Sequence, residues 1–314
     1  MRNPLSAIYG TVSGTRNRLY DHGVLSARQL RGPVVSIGNI AAGGSGKTPF
    51  VIALGEVLKR RGVSFDVLSR GYGRKTKGVA LVNPDGSARE FGDEPLLIAR
   101  KLEVSVVVGE DRYAAGRLAE ENFGPRLHLL DDGFQHRGLA RDFDIVLVSA
   151  GDAVSSLLPR GRLREPLSAL ARADAVVLTN DATPDGLPIA HQKLWRVQRD
   201  IIAPEVDDPC LAFCGIARPA AFFAQLRAAG VNVLATRTFR DHHAYTEADI
   251  HGLCREADRA GADGFLTTEK DAVKLDALPA QLPNLAVVSL SLELENAQQE
   301  LTTILDKVNL RRAV

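Results

Sequence analysis

Residues 34–61 read VVSIGNIAAGGSGKTPFVIALGEVLKRR, and the rest of the 314-residue chain can be arranged around them. The β-branched run at residues 34–37 predicts a buried strand, and apolar side chains recur at helical spacing from Lys47 to Gly62. A glycine-rich loop that ends in Gly-Lys-Thr joins the two. This order of strand, glycine loop and helix is the context of a phosphate-binding loop.

The loop residues carry the chemistry of this pattern. Glycines allow backbone N–H groups to wrap phosphate oxygens, and the following helix adds the positive end of its dipole. We expect Lys47 to reach the β- and γ-phosphates of a nucleotide and the Thr48 hydroxyl to bind Mg²⁺. Ala41 replaces the first glycine of the usual G-x-x-x-x-G-K-[ST] pattern, and a glycine-rich turn that binds nothing is the alternative. The predicted phosphate-binding residues are Ala41, Ala42, Gly43, Gly44, Ser45, Gly46, Lys47 and Thr48.

Composition narrows the class of protein. The chain is 45% apolar and 25% charged, as expected of a globular protein with a substantial core. A net charge of +1 gives no overall field that would attract nucleic acid, so we expect no nucleic-acid partner. Three cysteines make no disulfide framework and indicate a reducing compartment. No apolar run reaches the roughly 18 residues needed to span a bilayer.

Residues 1–32 precede the first predicted strand and form an amphipathic, arginine-rich segment. Their apolar side chains fall near one helical face, and five arginines stand against a single aspartate. This pattern is typical of an amphipathic helix at a membrane surface. A helix packed on the adjoining domain, with its arginines in water, is an equal alternative. The apolar residues are Leu5, Ile8, Tyr9, Val12, Leu19 and Tyr20.

Strand and helix patterns alternate as far as about residue 205. The strands are continuous apolar runs, which is typical of parallel strands covered on both faces. We therefore predict a doubly wound α/β domain that contains the phosphate-binding loop, over residues 33–205. Its strands are predicted at residues 65–69, 104–109, 127–131, 144–149 and 175–179, and its helices at 95–102, 112–122 and 165–172.

A smaller α/β domain is predicted over residues 206–314. Residues 181–209 are rich in Asp and Pro and predict a connection between the two domains. Thr246, with Asp249 three residues later, predicts a capped start of a helix. Strands are predicted at residues 211–214, 231–235, 264–267 and 285–290, and further helices at 219–229 and 297–308.

Polar residues that follow the predicted strands are functional candidates, because ligands of open α/β sheets bind at the carboxyl ends of strands. The strand at residues 127–131 ends in Asp131 and Asp132, which could hold Mg²⁺ as a Walker B aspartate does, although Asp-Gly is also a common turn pair. Arg70 follows another strand and could contact a phosphate. Asp93 could cap a helix or act as the base for a substrate hydroxyl, and its local sequence leaves both open.

Three further motifs are ambiguous on their own. Residues 241–243, Asp-His-His, could form a surface loop or hold a functional histidine. Arg164 and Glu165 could begin a helix or form an active-site pair. Residues 268–271, Thr-Glu-Lys-Asp, are a charged cluster after a predicted strand and could be functional or a solvent-exposed face.

Taken together, the motifs resemble the tetraacyldisaccharide 4′-kinase family, whose members phosphorylate a lipid A precursor. The matching segments run in the family's order from about residue 33 to 275, and DDGFQH together with GDEP is more specific than the phosphate-binding loop. The segments are GNIAAGGSGKTP, LSRGYG, GDEPLLIA, EDRY, LLDDGFQHR, ARDFDIVL, GRLREP, ADAVVLT, FRDHHAYT and TTEKDAVKL.

The resemblance implies that residues 33–205 are a P-loop kinase domain, and it implies a reaction and the residues that perform it. The γ-phosphate of ATP would pass to the 4′-hydroxyl of a tetraacyldisaccharide 1-phosphate, giving lipid IVA. Asp93 would be the catalytic base, His242 its partner, and Lys47 the phosphate-binding lysine. The metal-side residues would be Thr48, Glu94, Asp131 and Asp132. Arg70, Arg112, Arg164 and Glu165 match further active-site positions of the family.

The resemblance also implies a location, and one other class of function competes with it. The N-terminal segment would attach the protein peripherally to the cytoplasmic face of the bacterial inner membrane. Because the base and its partner fall in different predicted domains, closure would assemble the site and limit futile ATP hydrolysis. The competing interpretation is a P-loop ATPase or GTPase switch that acts on a protein partner and hydrolyses nucleotide without an acceptor.

Overall fold

The computed structural model describes residues 4–44, 46–179, 182–206, 208–276 and 278–312. Within these ranges twelve strands form one hydrogen-bonded sheet. They are β1 (Val34–Asn39), β2 (Phe65–Ser69), β3 (Ala80–Leu81), β4 (Val106–Val108), β5 (Leu127–Asp131), β6 (Phe143–Ser149), β7 (Ala175–Thr179), β8 (Lys193–Ile202), β9 (Cys210–Cys214), β10 (Val233–Thr238), β11 (Gly264–Thr268) and β12 (Leu285–Leu294). Their order is β10-β9-β11-β12-β8-β7-β6-β1-β5-β2-β4-β3, with antiparallel pairing at β8/β12 and β3/β4 and parallel pairing elsewhere.

Helices connect most of the strands. They are α1 (Pro4–Asp21), α2 (Lys47–Arg60), α3 (Ala88–Phe91), α4 (Asp93–Leu102), α5 (Arg112–Phe123), α6 (Pro219–Ala228), α7 (Glu247–Ala260), α8 (Glu269–Ala272) and α9 (Ala297–Arg312). Thr246 and Asp249 form the predicted capping box at the start of α7.

The sheet is covered on both faces, because successive strand residues point to opposite sides. Leu129 of β5 belongs to one buried cluster with Val51 of α2 and Leu96 of α4. The next residue, Leu130, belongs to another buried cluster with Ala115 of α5. The predicted doubly wound, mostly parallel α/β architecture is therefore confirmed.

The predicted connection at residues 181–209 is wrong in its central part, which forms β8. Trp195 and Val197 of this strand are buried, whereas Arg196 and Gln198 are exposed. This alternation is a strand pattern that the Asp and Pro content of the flanking residues obscures. Strand β8 pairs with β7 on one side and β12 on the other, so the sheet continues across the predicted domain boundary. The division near residue 205 stays a prediction.

Several other predicted elements differ in extent from the observed ones. Pro166 explains one of them, because a residue before proline is disfavoured in the α region and a helix therefore does not begin at Glu165. The prediction at 165–172 corresponds to a 3₁₀ helix over Leu167–Arg172, that at 104–109 to Val106–Val108, and that at 231–235 to Val233–Thr238.

Helix α1 makes polar contacts with the rest of the protein and leaves several apolar side chains in solvent. Ser6 Oγ donates a hydrogen bond to the carbonyl of Leu157 at 3.1 Å. Leu5, Ile8 and Val12 are 59%, 61% and 65% exposed. Of the helices described, none combines the length and the apolar character needed to cross a bilayer.

Gly116 in α5 leads to a stability prediction. A Cβ atom there would lie 2.1 Å from Leu30 Cδ1 and 3.1 Å from Leu30 Cγ, and Leu30 is buried. Gly116→Ala therefore forces a packed side chain to shift, and overpacking of this kind costs about 1–3 kcal/mol. The gain in helix propensity, about 0.5–1 kcal/mol, is smaller. We expect a lower urea midpoint in equilibrium unfolding.

Gly252 in α7 is the matched control for this substitution. A Cβ atom there would have no heavy atom within 4 Å. Gly252→Ala should therefore raise the free energy of unfolding by about 0.5–1 kcal/mol. If Gly116→Ala were equally stabilising, α5 would have to move away from Leu30 at no cost, and the packing described here would be wrong.

Candidate active site

The glycine-rich loop lies between β1 and α2, at the carboxyl end of β1. Gly43, Gly44 and Gly46 have φ angles of 78°, 45° and 81°, a left-handed conformation that glycine adopts without steric cost. Helix α2 begins at Lys47, so its first unpaired N–H groups face the loop. Ser45, which the sequence places in the same loop, lies outside the described residues.

Ala41 stands where the usual motif has its first glycine, and the structure explains why alanine fits. Ala41 is buried and pairs with Leu163 in an antiparallel bridge. The next residue, Ala42, donates its N–H to the carbonyl of Arg162 at 2.7 Å. The chain therefore enters the loop in a strand-like pairing that needs no positive φ, and positive φ angles begin at Gly43.

Asp132 faces the loop from the end of β5 and is surrounded by positive charge. Lys47 Nζ lies 3.4 Å from Asp132 Oδ1, and Arg164 Nη1 lies 3.1 Å from both carboxylate oxygens. Burial alone would raise the pKa of Asp132, but the charges of Lys47 and Arg164 hold it below its usual value. Asp132 is therefore an ionised partner of Lys47.

Asp131 has a different environment from its neighbour. Its Oδ2 accepts a hydrogen bond from Ser69 Oγ at 3.0 Å, whereas its Oδ1 is buried without a hydrogen-bond partner among the described residues. Burial, together with the negative charges of Glu94 and Asp132, raises the pKa of Asp131 to about 7. A cation at Oδ1 would offset this buried charge.

These oxygen ligands fit Mg²⁺, which kinase sites hold through one or two carboxylates, water and substrate phosphates. The orphaned oxygen of Asp131 lies next to the loop that would carry those phosphates, because Ile37 and Asp131 are register partners in β1 and β5. Over the described ranges, no group of three or more His, Cys, Asp or Glu side chains is placed to hold a metal ion by itself.

The other half of the site is an aspartate–histidine pair. Helix α4 begins at Asp93, and His242 lies between β10 and α7 with a φ of 58°. His242 Nδ1 lies 2.9 Å from Asp93 Oδ2 and 3.1 Å from Oδ1, although 149 positions separate the two residues in the chain. The structure therefore brings together a pair that nothing in the local sequence connects.

Each member of this pair shifts the pKa of the other. Burial raises the pKa of Asp93, but the hydrogen bond from His242 and the charge of Lys270 outweigh it, and the net shift is downward. Burial lowers the pKa of His242, but the hydrogen bond and the charge of Asp93 outweigh it, and the net shift is upward. Asp93 is therefore ionised at neutral pH and stands ready to accept a proton.

Glu94 and Lys270 lie between the two halves. Lys270 Nζ donates to Glu94 Oε1 at 3.2 Å, and the charge of Glu94 contributes to the raised pKa of Asp131. Of the two interpretations of the charged cluster at residues 268–271, the solvent-exposed one does not fit Lys270, since only 21% of its side chain is exposed. Its position after a strand is the same signal that identifies Asp131.

Two of the predicted arginines lie near the aspartates of the loop half. Arg112 is buried and donates to the carbonyls of Gly109 and Glu110 at 3.1 and 2.9 Å. Burial, followed by the charge of Arg70, lowers the pKa of Arg112, and the charge of Asp131 opposes this shift. Arg112 and Arg70 therefore place positive charge beside the predicted phosphate site.

Glu165 has a different set of partners. It forms an ion pair with Arg172 at 3.0 Å and accepts hydrogen bonds from Gln135 Nε2 at 3.1 Å and Asn17 Nδ2 at 2.5 Å. Asn17 belongs to α1, so Glu165 links the N-terminal helix to the segment that follows β5. The partners of Glu165 thus hold α1 on the rest of the protein. Glu165 does not lie against Lys47 or Asp93.

Known proteins resemble the chain over nearly its whole length. A family model for tetraacyldisaccharide-1-P 4′-kinase (LpxK) matches residues 1–309. A tetraacyldisaccharide 4′-kinase of Koribacter versatilis is 51% identical over 320 residues, covering 99% of both chains. One from Geobacter metallireducens is 38% identical and covers 97% of this chain and 96% of its own. A crystal structure of LpxK from Aquifex aeolicus in complex with ATP has a TM-score of 0.80 and 35% identity, with 97% of each chain covered.

These matches extend well beyond the phosphate-binding loop. They include both halves of the site, since Lys47, Asp132, Asp93 and His242 all lie within residues 1–309. The identity and the coverage are both far above what a shared P-loop alone would produce. The chain therefore belongs to the tetraacyldisaccharide 4′-kinase family, LpxK.

Proposed function

We propose that this protein transfers the γ-phosphate of ATP to the 4′-hydroxyl of a tetraacyldisaccharide 1-phosphate, giving lipid IVA in lipid A biosynthesis. The observation that carries the proposal is the 2.9 Å contact between Asp93 and His242 in a site that also contains the phosphate-binding loop. One site then holds both a phosphate-binding half and a group that can activate a hydroxyl. Family membership supports the identity of the acceptor, and the ATP-bound LpxK of Aquifex aeolicus supports ATP as the donor.

On the donor side of the reaction, the protein would position the phosphates of ATP and neutralise their negative charge. Backbone N–H groups of the loop and of the first turn of α2 would hold the phosphate oxygens. Lys47 would place its ammonium group on the β- and γ-phosphates, with Asp132 keeping it in place. Thr48, Glu94, Asp131 and Asp132 are the proposed residues around Mg²⁺, which when bound neutralises charge on the transferred phosphoryl group.

The acceptor side centres on Asp93. The proton of the 4′-hydroxyl would pass to the Asp93 carboxylate as the sugar oxygen bonds to the γ-phosphorus. The bond from that phosphorus to the bridging oxygen breaks, and ADP leaves. His242 would orient Asp93 through the hydrogen bond from Nδ1. The N-terminus of α4 favours the ionised carboxylate that this step requires.

The competing interpretation, a P-loop ATPase or GTPase switch, is not favoured. A switch reorganises its loops around the γ-phosphate and needs no base for an acceptor hydroxyl. Asp93 and His242 would then have no role, and the curated relatives are named as kinases.

A labelled-ATP assay tests the function. With γ-labelled ATP, Mg²⁺ and tetraacyldisaccharide 1-phosphate in detergent micelles, we expect label in the lipid product only when the acceptor is present. Lys47→Ala should lower the rate on the order of 10³-fold, because a charge on the developing phosphoryl oxygens is lost. ATP hydrolysis that is independent of the acceptor, with no labelled lipid, would support the switch instead.

A double-mutant cycle tests the acceptor pair. Asp93→Ala should lower kcat by about 10²–10⁴-fold with little change in KM for ATP, because the base acts in the transition state. His242→Ala should have a smaller effect. The double variant should be little worse than Asp93→Ala, since residues that act as a unit are not additive. Fully additive losses would contradict the pairing.

His243→Ala is the matched control for the histidine. Its Nε2 lies 3.1 Å from Asp249 of α7, and its ring stacks on Phe239 at 4.7 Å between ring centroids. We therefore expect a milder loss of kcat from His243→Ala than from His242→Ala. An equal loss would point to a general effect on the loop.

A Mg²⁺ titration tests the metal-side residues. Asp131→Asn keeps the shape of the side chain and the hydrogen bond with Ser69, but removes the charge that a cation would balance. The Mg²⁺ concentration for half-maximal activity should rise by about tenfold or more. Asp132→Asn should show a weaker shift together with a higher KM for ATP, because Lys47 loses its partner. Unchanged titration curves in both variants would make the two carboxylates structural.

We propose that α1 attaches the protein peripherally to the cytoplasmic face of the bacterial inner membrane, where its lipid acceptor lies. The exposed Ile8 and Val12 support this, together with the arginines on the same helix. Ile8→Asp/Val12→Asp should weaken binding to anionic phosphatidylglycerol vesicles by about tenfold or more. Leu234→Asp, at an exposed position on β10, is the control. Equal binding of both variants and the parent protein would mean that α1 only packs on the domain.

A further inference from the structure

The loop between β9 and α6, residues 215–218, packs on the glycine-rich loop from the second half of the chain. A Cβ atom at Gly44 would lie 3.4 Å from both Ala217 Cβ and Arg218 Cγ. A Cβ atom at Gly43 would lie 3.7 Å from Ala217 Cβ. Arg218 therefore reaches the part of the glycine-rich loop where positive φ angles begin, and the roles proposed above leave it unassigned.

The guanidinium group of Arg218 lies beside the glycine-rich loop and has a buried nitrogen that makes no hydrogen bond. Its Nε would lie 3.5 Å from a Cβ atom at Gly44, and its Nη2 is buried without a hydrogen-bond partner among the described residues. A buried donor in this condition costs free energy, and more so when the group carries a charge. An acceptor bound next to the loop would remove this cost.

The charges around Arg218 indicate which kind of acceptor fits. Arg162 donates from Nε to the carbonyl of Ala42 at 3.2 Å and from Nη2 to the carbonyl of Gly43 at 3.1 Å, and its Nη1 lies 4.0 Å from Asp152 Oδ1. Burial, followed by the charge of Arg162, lowers the pKa of Arg218, and the charge of Asp152 opposes this shift only in part. The charge of Arg218 is therefore incompletely balanced by the groups around it, and an anion would offset the remainder.

The anion that this position suits is a phosphate. A guanidinium group is planar and can donate two parallel hydrogen bonds to phosphate oxygens. In P-loop enzymes an arginine from outside the loop often adds its charge to the phosphates that the loop holds. Both the nucleotide and the 1-phosphate of the acceptor could supply this group. The contacts of Arg218 are with the glycine-rich loop itself, which favours the nucleotide.

We propose that Arg218 is a nucleotide-binding residue: its guanidinium group, carried by the loop after β9, binds the phosphates of ATP together with the glycine-rich loop. This inference rests on the proposed function for the identity of the phosphate donor. It deepens that function, because the affinity for ATP then depends on residues from both halves of the chain and not on the phosphate-binding loop alone.

Isothermal titration calorimetry of the full chain with the β,γ-imido analogue of ATP, without acceptor, tests the proposal. Arg218→Met keeps the unbranched stem that packs on Gly44 and removes the charge. We expect its Kd to rise by about tenfold or more, because charge-assisted hydrogen bonds to phosphate are lost. Arg218→Lys keeps the charge without the planar fork and should show a smaller rise. A parental Kd in Arg218→Met would overturn the proposal.

Arg227→Met is the matched control, since Arg227 is an exposed arginine in the last turn of α6. Its Kd should stay within about twofold of the parental value. Urea unfolding with and without the analogue adds a readout of folding. Because bound ligand stabilises the folded state in proportion to its affinity, the analogue should raise the midpoint of Arg218→Met less than that of Arg227→Met. Equal rises in the two variants would overturn the proposal.

Two further measurements identify the group that Arg218 binds. Inorganic tripolyphosphate, which carries phosphates without a base, should displace a fluorescent ATP analogue from the parent protein at lower concentration than from Arg218→Met. Equal displacement would place the guanidinium group on the base or ribose and overturn the proposal.

In the labelled-ATP assay, the KM of Arg218→Met for tetraacyldisaccharide 1-phosphate should change by less than about twofold. A raised KM for the acceptor, with a parental Kd for the ATP analogue, would assign Arg218 to the 1-phosphate instead. Binding of the analogue requires no phosphoryl transfer. A parent protein that binds the analogue through Arg218 but labels no lipid would therefore contradict the proposed function and leave this inference in place.

Discussion

The parallel pairing of β1 and β5 is the constraint on which the phosphate half of the site depends. It sets Ile37 opposite Asp131, so the loop after β1 and the carboxylates after β5 emerge at the same edge of the sheet. Side chains fix the register of β5 against β2 at both ends. The register partners Asp66 and His128 are fully buried and 2.7 Å apart, and Ser69 holds Asp131. A shift of the register by one residue would turn Asp131 to the opposite face of the sheet and remove its carboxylate from the site.

The two aspartates of this half differ in how far neighbouring positive charge balances their carboxylates. Asp132 has two cationic neighbours, Lys47 and Arg164, and stays ionised. Asp131 is more deeply buried, has one oxygen without a partner among the described residues, and has a pKa raised to about 7. A buried carboxyl group in this condition destabilises the protein unless a ligand compensates it. Neighbouring aspartates on one strand end thus take different roles because their surroundings differ.

The acceptor half is built where the sheet passes from one predicted domain to the other. Strand β8 joins β7 to β12 and so fixes the distance between the halves of the chain that carry Asp93 and His242. Helix α8 then completes the connection, with Lys270 between the two. The site is therefore a property of the whole sheet, since no segment of local sequence contains both Asp93 and His242.

Local sequence by itself determined the elements whose signals are local: the glycine loop, the buried strands such as Leu127–Asp131, and the capping box of α7. Short-range sterics and hydrophobic period are sufficient for these. The membership of β8 in the sheet, the pairing of Asp93 with His242, and the burial of Lys270 were decided only by the tertiary structure. These features depend on contacts between residues far apart in the chain, and local sequence carries no information on which distant charge will lie against which.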